Sequence, residues 1–207
     1  MCITQENMKT RVNKRKRICT DDGSDSDDKD EDCQIKVVNN NIYFYGGIDE
    51  KSILEFNTKL REKEIELLKL AIDHDFEPVI NLYIQSGGGD VYAGMSAMDH
   101  IYNCRVKVNT IADGCVASAA TFMLLGGHSR YILEHSYLLI HQIRTGFWGK
   151  WEDLKDEHKH CEDIMNTLKK VYKENTKLSD TKLEELFKRE IYFTAEETVN
   201  FGIAEYY

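Results

Sequence analysis

The sequence lacks several features that would assign it to a class. No apolar run approaches the ~20 residues of a membrane-spanning helix. The opening stretch MCITQENMKTRVNKRKR has no apolar segment of the kind a secretory signal requires. The six cysteines, at positions 2, 19, 33, 104, 115 and 161, show no CxxC or other paired spacing. That argues against a disulfide framework or a zinc ribbon and suits free thiols in a reducing cytosol. His158, His160 and Cys161 are close together, but they lie in a charge-rich helical stretch whose apolar stripe includes His158 and Cys161, so no metal site is expected there. Basic charge is not in excess. The formal net charge of the 207 residues is −9, which argues against a nucleic-acid binder.

Apolar residues are nearly missing from the first 33 positions. These hold seven Lys/Arg and nine Asp/Glu, divided into a basic cluster, Lys9 to Arg17, and an acidic run, Asp21 to Asp32. Such a segment cannot offset its own ordering entropy. Residues 1–34 are therefore expected to be a disordered charged tail, either a solvated extension or pro-segment or, on a sharper reading, a nuclear address or anion-binding arm. Its acids make it unlike an organellar presequence. The remainder, 35–207, carries a net charge of −7 and is long enough for one domain with a full core.

From residue 35 onward, strand and helix patterns alternate. Ile42 to Tyr45 reads as a buried strand ending at Gly46-Gly47, and residues 50–74 repeat apolar positions with helical spacing. The single proline, Pro78, falls in the connection that follows. Val79 to Ile84 is a strand, 91–102 a helix, Val106 to Ile111 a strand and 116–125 a buried helix of small apolar residues. Tyr131 to Leu133 and Tyr137 to Ile140 complete the strand set, which implies parallel βαβ units. Trp151, Leu154, His158, Cys161, Met165, Leu168 and Tyr172 then form a heptad-like stripe on a long helix over 150–177. That stripe fits packing on its own domain as well as pairing with another subunit. A short helix, Lys182 to Lys188, precedes a strand-like Ile191-Tyr192-Phe193, and Thr194 with Glu197 has the spacing of a capping box.

Three places could hold chemistry. Gly87-Gly88-Gly89 lies between a strand and a helix, where backbone N–H groups can approach a ligand closely. It lacks the third glycine of a dinucleotide fingerprint and the Gly-Lys-Ser/Thr of a phosphate loop, and a plain turn also explains it. Asp113 to Ala120 leads from a strand into an apolar helix, a context that exposes a nucleophile and aims N–H groups at a developing oxyanion. Ser118 and Cys115 are rival nucleophiles there, and Ser118 could equally be a helix cap. His141, ending the apolar strand Leu138-Leu139-Ile140, is a core or cap histidine or a rigidly held general base.

Together these residues resemble the proteolytic subunit of the Clp protease, a self-compartmentalised serine peptidase family. The resemblance runs over about 42–205. Ser86-Gly87-Gly88-Gly89 with Ala93-Gly94-Met95-Ser96 is similar to the family's Ser-Pro-Gly-Gly and Ala-Gly-Met-Ser. Gly114 to Ala120 is similar to its nucleophile segment, and Leu139-Ile140-His141-Gln142 to its Met-Ile-His-Gln. Tyr192 to Glu197, followed by Phe201-Gly202-Ile203, is similar to the segment that follows its acid. The resemblance implies an α/β fold, a crotonase-like repeated β-β-α spiral with a projecting handle helix at about 150–177. It implies a triad of Ser118, His141 and Glu190, and an oxyanion hole from the backbone N–H groups of Gly89 and Ala119.

The same resemblance implies polypeptide substrates, stacked homo-oligomeric rings, a cytoplasmic setting and no metal or organic cofactor. It also implies a separate AAA+ unfoldase, with neither nucleic acid nor membrane as partner. The sequence departs from the family in five places. Glu190 stands where the family has Asp, with Asp180, Glu184 and Glu185 as alternative acids. Gly87 and Ile143 replace prolines. Arg144 to Gly149 keeps only part of the glycine-rich strand that clamps peptide. Asn81-Leu82-Tyr83-Ile84 replaces the Tyr-Leu-Tyr-Ile that helps dock the ATPase. A capsid-maturation protease working without an ATPase, a non-catalytic ring subunit and a crotonase-type acyl-CoA enzyme are the competing readings.

Overall fold

The computed structural model describes residues 33–207. The expected charged tail, 1–34, lies outside the described residues except for its last two. Strand β1 (Gln34–Val38) opens the described chain and pairs antiparallel with β2 (Asn41–Tyr45). Along β2 the side chains alternate: Ile42 and Phe44 point inward and are fully buried, while Tyr43 and Tyr45 occupy the other face. β3 (Val79–Ser86) repeats the pattern with Ile80, Leu82 and Ile84 inward.

Between these strands runs α1 (Glu50–His74), started by a capping box in which Asp49 and Ser52 satisfy each other's backbone N–H groups. It lays Ile53, Phe56, Leu60 and Leu67 against the sheet. α2 (Val91–Tyr102), capped by Asp90, follows β3 and leads to β4 (Lys107–Ala117). α3 (Ala120–Leu125), β5 (Ser129–Ile132) and β6 (Tyr137–Leu139) come next. Then follow α4 (Trp151–Asn175), α5 (Asp180–Phe187), β7 (Tyr192–Phe193), α6 (Ala195–Asn200) and β8 (Glu205–Tyr206). Thr194 and Glu197 form the expected capping box at α6.

The strands form one sheet in the order β1-β2-β3-β4-β5-β8, with β6 beside the far end of β4 and β7 beside β6. All pairings are parallel except β1–β2 and β6–β7. β4 organises the site because it serves two partners in turn. Asn109–Ala112 pairs with β5, and Cys115–Ala117 pairs with β6.

The switch between partners occurs at a bulge. Ile84 faces Ala112 and Ser86 faces Val116, so a two-residue step on β3 spans four residues on β4. Gly114, at φ +79°, supplies the turn. Ser136 pins it by accepting from Gly114 N–H at 2.8 Å and donating to the Ala112 carbonyl at 3.1 Å. The pattern at 116–125 predicts a helix from Val116, but the helix starts only at Ala120. The missing turn belongs to β4, because Val116 and Ala117 are claimed by pairing with Leu138 and Leu139.

The long helix α4 divides into two parts. Ile164, Leu168 and Tyr172 are buried against the domain, whereas Trp151, Leu154 and His158 are exposed. The reading of packing on its own domain holds for the inner end, and the outer end makes no such packing. Among the described residues, no helix is long and apolar enough to cross a membrane.

Candidate active site

Ser118 stands immediately after β4 with φ +55°, one of three non-glycine residues in the left-handed region among those described. That conformation costs an L-residue roughly 1–2 kcal/mol and turns the serine sharply out of the strand. Its backbone is held on both sides. Ser118 N–H donates to the Leu139 carbonyl at 2.9 Å, continuing the β4–β6 ladder, and its own carbonyl accepts from Thr121 N–H at 3.0 Å. The side chain is partly exposed while Ala117, Ala119 and Ala120 around it are buried.

The triple glycine packs directly on this turn. A Cβ on Gly88 would sit 2.6 Å from Ser118 Cβ and 3.1 Å from Ala119 N, so only glycine allows the approach. Gly88 and Gly89 have φ +95° and +147°. The Gly88 carbonyl accepts from Ile48 N–H, and Asp90 N–H donates to the Ile48 carbonyl. Gly88 N–H is taken by Ser86 Oγ at 3.1 Å. The N–H groups of Gly89 and Ala119 enter none of these bonds.

The β4–β6 pairing carries His141 to the same end of the sheet, two residues beyond Leu139. Its ring is half-buried, and its Nδ1 lies 2.6 Å from the Gln142 carbonyl. A carbonyl only accepts, so this bond places the neutral ring's proton on Nδ1 and leaves Nε2 as the basic nitrogen. Burial pushes the imidazole below its usual value, the Gln142 carbonyl opposes that, and the Arg144 cation adds to the lowering. Among the described residues, no hydrogen bond joins His141 to Ser118 Oγ.

Glu190 lies in the connection between α5 and β7. The β6–β7 pairing stops at Leu139↔Tyr192, two residues short of both His141 and Glu190, and beyond it Gln142 N–H donates to the Phe187 carbonyl at 3.3 Å. The Glu190 carboxylate is paired not with His141 but with Arg144, a partner the sequence did not suggest. The alternative acids all lie on α5 and face α4 or α5 itself: Asp180 pairs with Lys173, Glu184 with Lys169 and Glu185 with Lys182. The rival nucleophile Cys115 is on the bulged segment, and burial raises its thiol's pKa, which suppresses the reactive thiolate. Among the described residues, no group of three His, Cys, Asp or Glu could hold a metal ion. Residues 140–150, which include the expected peptide-clamping stretch, carry no strand.

Residues 42–206 match the Clp protease family. The chain is 31% identical over 131 residues, 62% of its length, to the ATP-dependent Clp protease proteolytic subunit of Deinococcus radiodurans. It spans 64% of that relative's length, just under two thirds. Its fold is similar to that of a point mutant of ClpP1 from Listeria monocytogenes, with a TM-score of 0.70, 22% identity and coverage of 82% of this chain and 91% of the other.

Proposed function

The chain belongs to the Clp protease family, and from that premise we propose that it is a serine endopeptidase acting through Ser118, His141 and Glu190 within an oligomeric chamber. The observation that carries the reading is the Ser118 turn. A serine held at φ +55°, with Gly88 packed so closely on it that a Cβ there would meet Ser118 Cβ at 2.6 Å, is an expensive arrangement for a mere helix cap.

In the reaction, Ser118 Oγ attacks the scissile carbonyl carbon as His141 Nε2 takes its proton. The oxyanion is stabilised by the N–H groups of Gly89 and Ala119, a donor of this kind contributing roughly 3–4 kcal/mol. The C–N bond breaks as His141 returns the proton to the leaving amine, and water then releases the acyl group by the same route. Glu190 serves the imidazolium by leaving Arg144 and taking over Nδ1 from the Gln142 carbonyl. The exchange is accessible because Glu190 and Arg144 are both solvent-exposed, at 54% and 37%, and such pairs contribute little. Catalytic hydrogen bonds commonly tighten only with substrate bound.

The chamber rests on the exposed end of α4. Trp148, Trp151 and Leu154 lie unburied on and just before it, as a subunit-pairing surface would. Polypeptides are the substrates, and an AAA+ unfoldase is the partner the family relationship suggests.

The test is a fluorophosphonate probe with mapping of the labelled residue. Labelling at Ser118 that disappears in Ser118→Ala is expected, together with a roughly 10⁴-fold loss of peptide hydrolysis in Glu190→Gln. A folded, assembled protein that stays unlabelled would leave the non-catalytic ring subunit as the better reading.

A further inference from the structure

On the buried side of Ser118, two hydroxyl groups form a chain to its carbonyl. Thr121 Oγ1 lies 2.7 Å from the Ser118 carbonyl oxygen, and Tyr172 Oη lies 2.5 Å from Thr121 Oγ1. The direction follows from donor counting. The carbonyl can only accept, so the single Thr121 hydroxyl proton goes to it. Thr121 Oγ1 is then the acceptor for the Tyr172 hydroxyl, giving Tyr172 O–H to Thr121 O–H to Ser118 C=O. Both side chains are buried, Thr121 completely and Tyr172 to within 2%.

The Tyr172 ring is fixed by Phe122 at 5.9 Å and by Phe187 edge-on at 6.0 Å. Its hydroxyl therefore has one position. The Ser118 carbonyl also accepts Thr121 N–H at 3.0 Å, so a single peptide oxygen takes two donors from one residue, one of them backed by a third group. Rotation of Ser118 out of its left-handed conformation would swing that carbonyl away and leave the Thr121 hydroxyl proton and the Thr121 N–H without their acceptor, which is costly in a dry interior.

We propose that Thr121 and Tyr172 are positioning residues that lock the strained Ser118 backbone from behind, so that its hydroxyl and the Ala119 N–H stay aimed at the reacting carbonyl. The proposal rests on Ser118 as the nucleophile, and it ties that nucleophile to α4, the element whose other end is exposed. Neither hydroxyl touches substrate. Their effect on the reaction is through Ser118 alone.

The test uses the full chain with three variants: Thr121→Val, which keeps the shape and removes the hydroxyl; Thr121→Ser, which restores it; and Tyr172→Phe. Two quantities are read on folded protein, the rate of fluorophosphonate labelling at Ser118 and the amide exchange of Ser118 and Thr121 resolved by fragmentation mass spectrometry. Thr121→Val is expected to label roughly 10-fold more slowly and Tyr172→Phe roughly 3-fold, sizes set by one lost hydrogen bond. Peptide kcat should fall with KM unchanged, both amides should exchange faster, and Thr121→Ser should stay within about 2-fold of the parent.

A merely structural contact would lower melting temperature while leaving labelling per folded molecule and the kcat-to-KM split untouched, and that result overturns the proposal. Faster exchange with unchanged labelling overturns the positioning role. If the parent itself is not labelled at Ser118, the peptidase reading fails. Exchange then decides the lock separately: unchanged exchange in both variants overturns it, and faster exchange rescued by Thr121→Ser upholds it.

Discussion

His141 and its immediate neighbours set the expected pH dependence. Burial first, and then the Arg144 cation, lower the imidazole, while the Gln142 carbonyl partly offsets them. The working base is the neutral ring, so activity rises with pH. The acid limb of kcat/KM, which reports the free enzyme, should have its midpoint below the ordinary value of about 6.5. Arg144→Gln removes a cation and frees Glu190, so that midpoint should move upward; a profile identical to the parent's would show that Arg144 does not govern the ring. The same depression has a stability sign. The folded state binds fewer protons, so this contribution is complete above the unfolded histidine value and is lost as pH falls through the window below it.

At this scale the sequence was informative where chemistry leaves short motifs, as with the glycines at 87–89, Ser118 and His141. Arg144's hold on Glu190 could not be read, because it joins chain positions 46 apart through long, exposed side chains. The Thr121–Tyr172 pair was equally hidden. Tyr172 reads as one member of the apolar stripe over 150–177 and Thr121 falls in the small apolar run 116–125, and their hydroxyls meet only after α4 has packed on α3.

At the scale of elements, a buried carboxylate ties α1 to the entry to β4. Glu64 is 3% exposed and accepts from Arg105 N–H at 2.9 Å and Arg105 Nε at 3.1 Å, with Arg61 as a further donor. Burial pushes its carboxyl up, but the Arg105 and Arg61 hydrogen bonds outweigh that and hold it below the usual range. Glu64→Gln should destabilise the protein by about 1–3 kcal/mol at neutral pH, read as a lower denaturant midpoint. A depressed folded value means the ionised carboxylate stabilises above the unfolded value of about 4.3. The gap between parent and variant should therefore close as the pH falls through the folded value; a gap constant down to pH 3 would contradict the assignment.

Elements with clean periodicity, such as α1, α2 and β3, were legible to within a residue or two. The start of α3 was not, since whether Val116 to Ala119 forms strand or helix is decided by β6, a partner some twenty residues away. β1 and β8 are not legible for a related reason: β1 exposes four of its five residues and β8 both of its two, so neither carries a buried alternation.

For the molecule as a whole, the two-part helix α4 matters most. Its inner end is core, and its outer end exposes Trp151 and Leu154 beside the almost fully exposed Trp148. If that end pairs subunits, Trp151→Glu should split the assembly in sedimentation while the dissociated chain keeps its melting transition. An unchanged sedimentation coefficient would place the interface elsewhere. The division of α4 was less readable than the fold, because a stripe at heptad spacing does not say where along its length self-packing ends.

The placement of the tryptophans has an optical consequence. The chain has only two, and both stand at this one projecting tip, with Lys155 lying over the Trp151 ring at 5.6 Å. Excited at 295 nm, the protein is therefore lit at a single point outside its core. Its emission should be red and readily quenched by iodide when the chains are apart, and shift to the blue when the tip is covered. If that tip pairs subunits, the fluorescence of this protein is a gauge of association, and the unfolding of its core must be followed by some other signal.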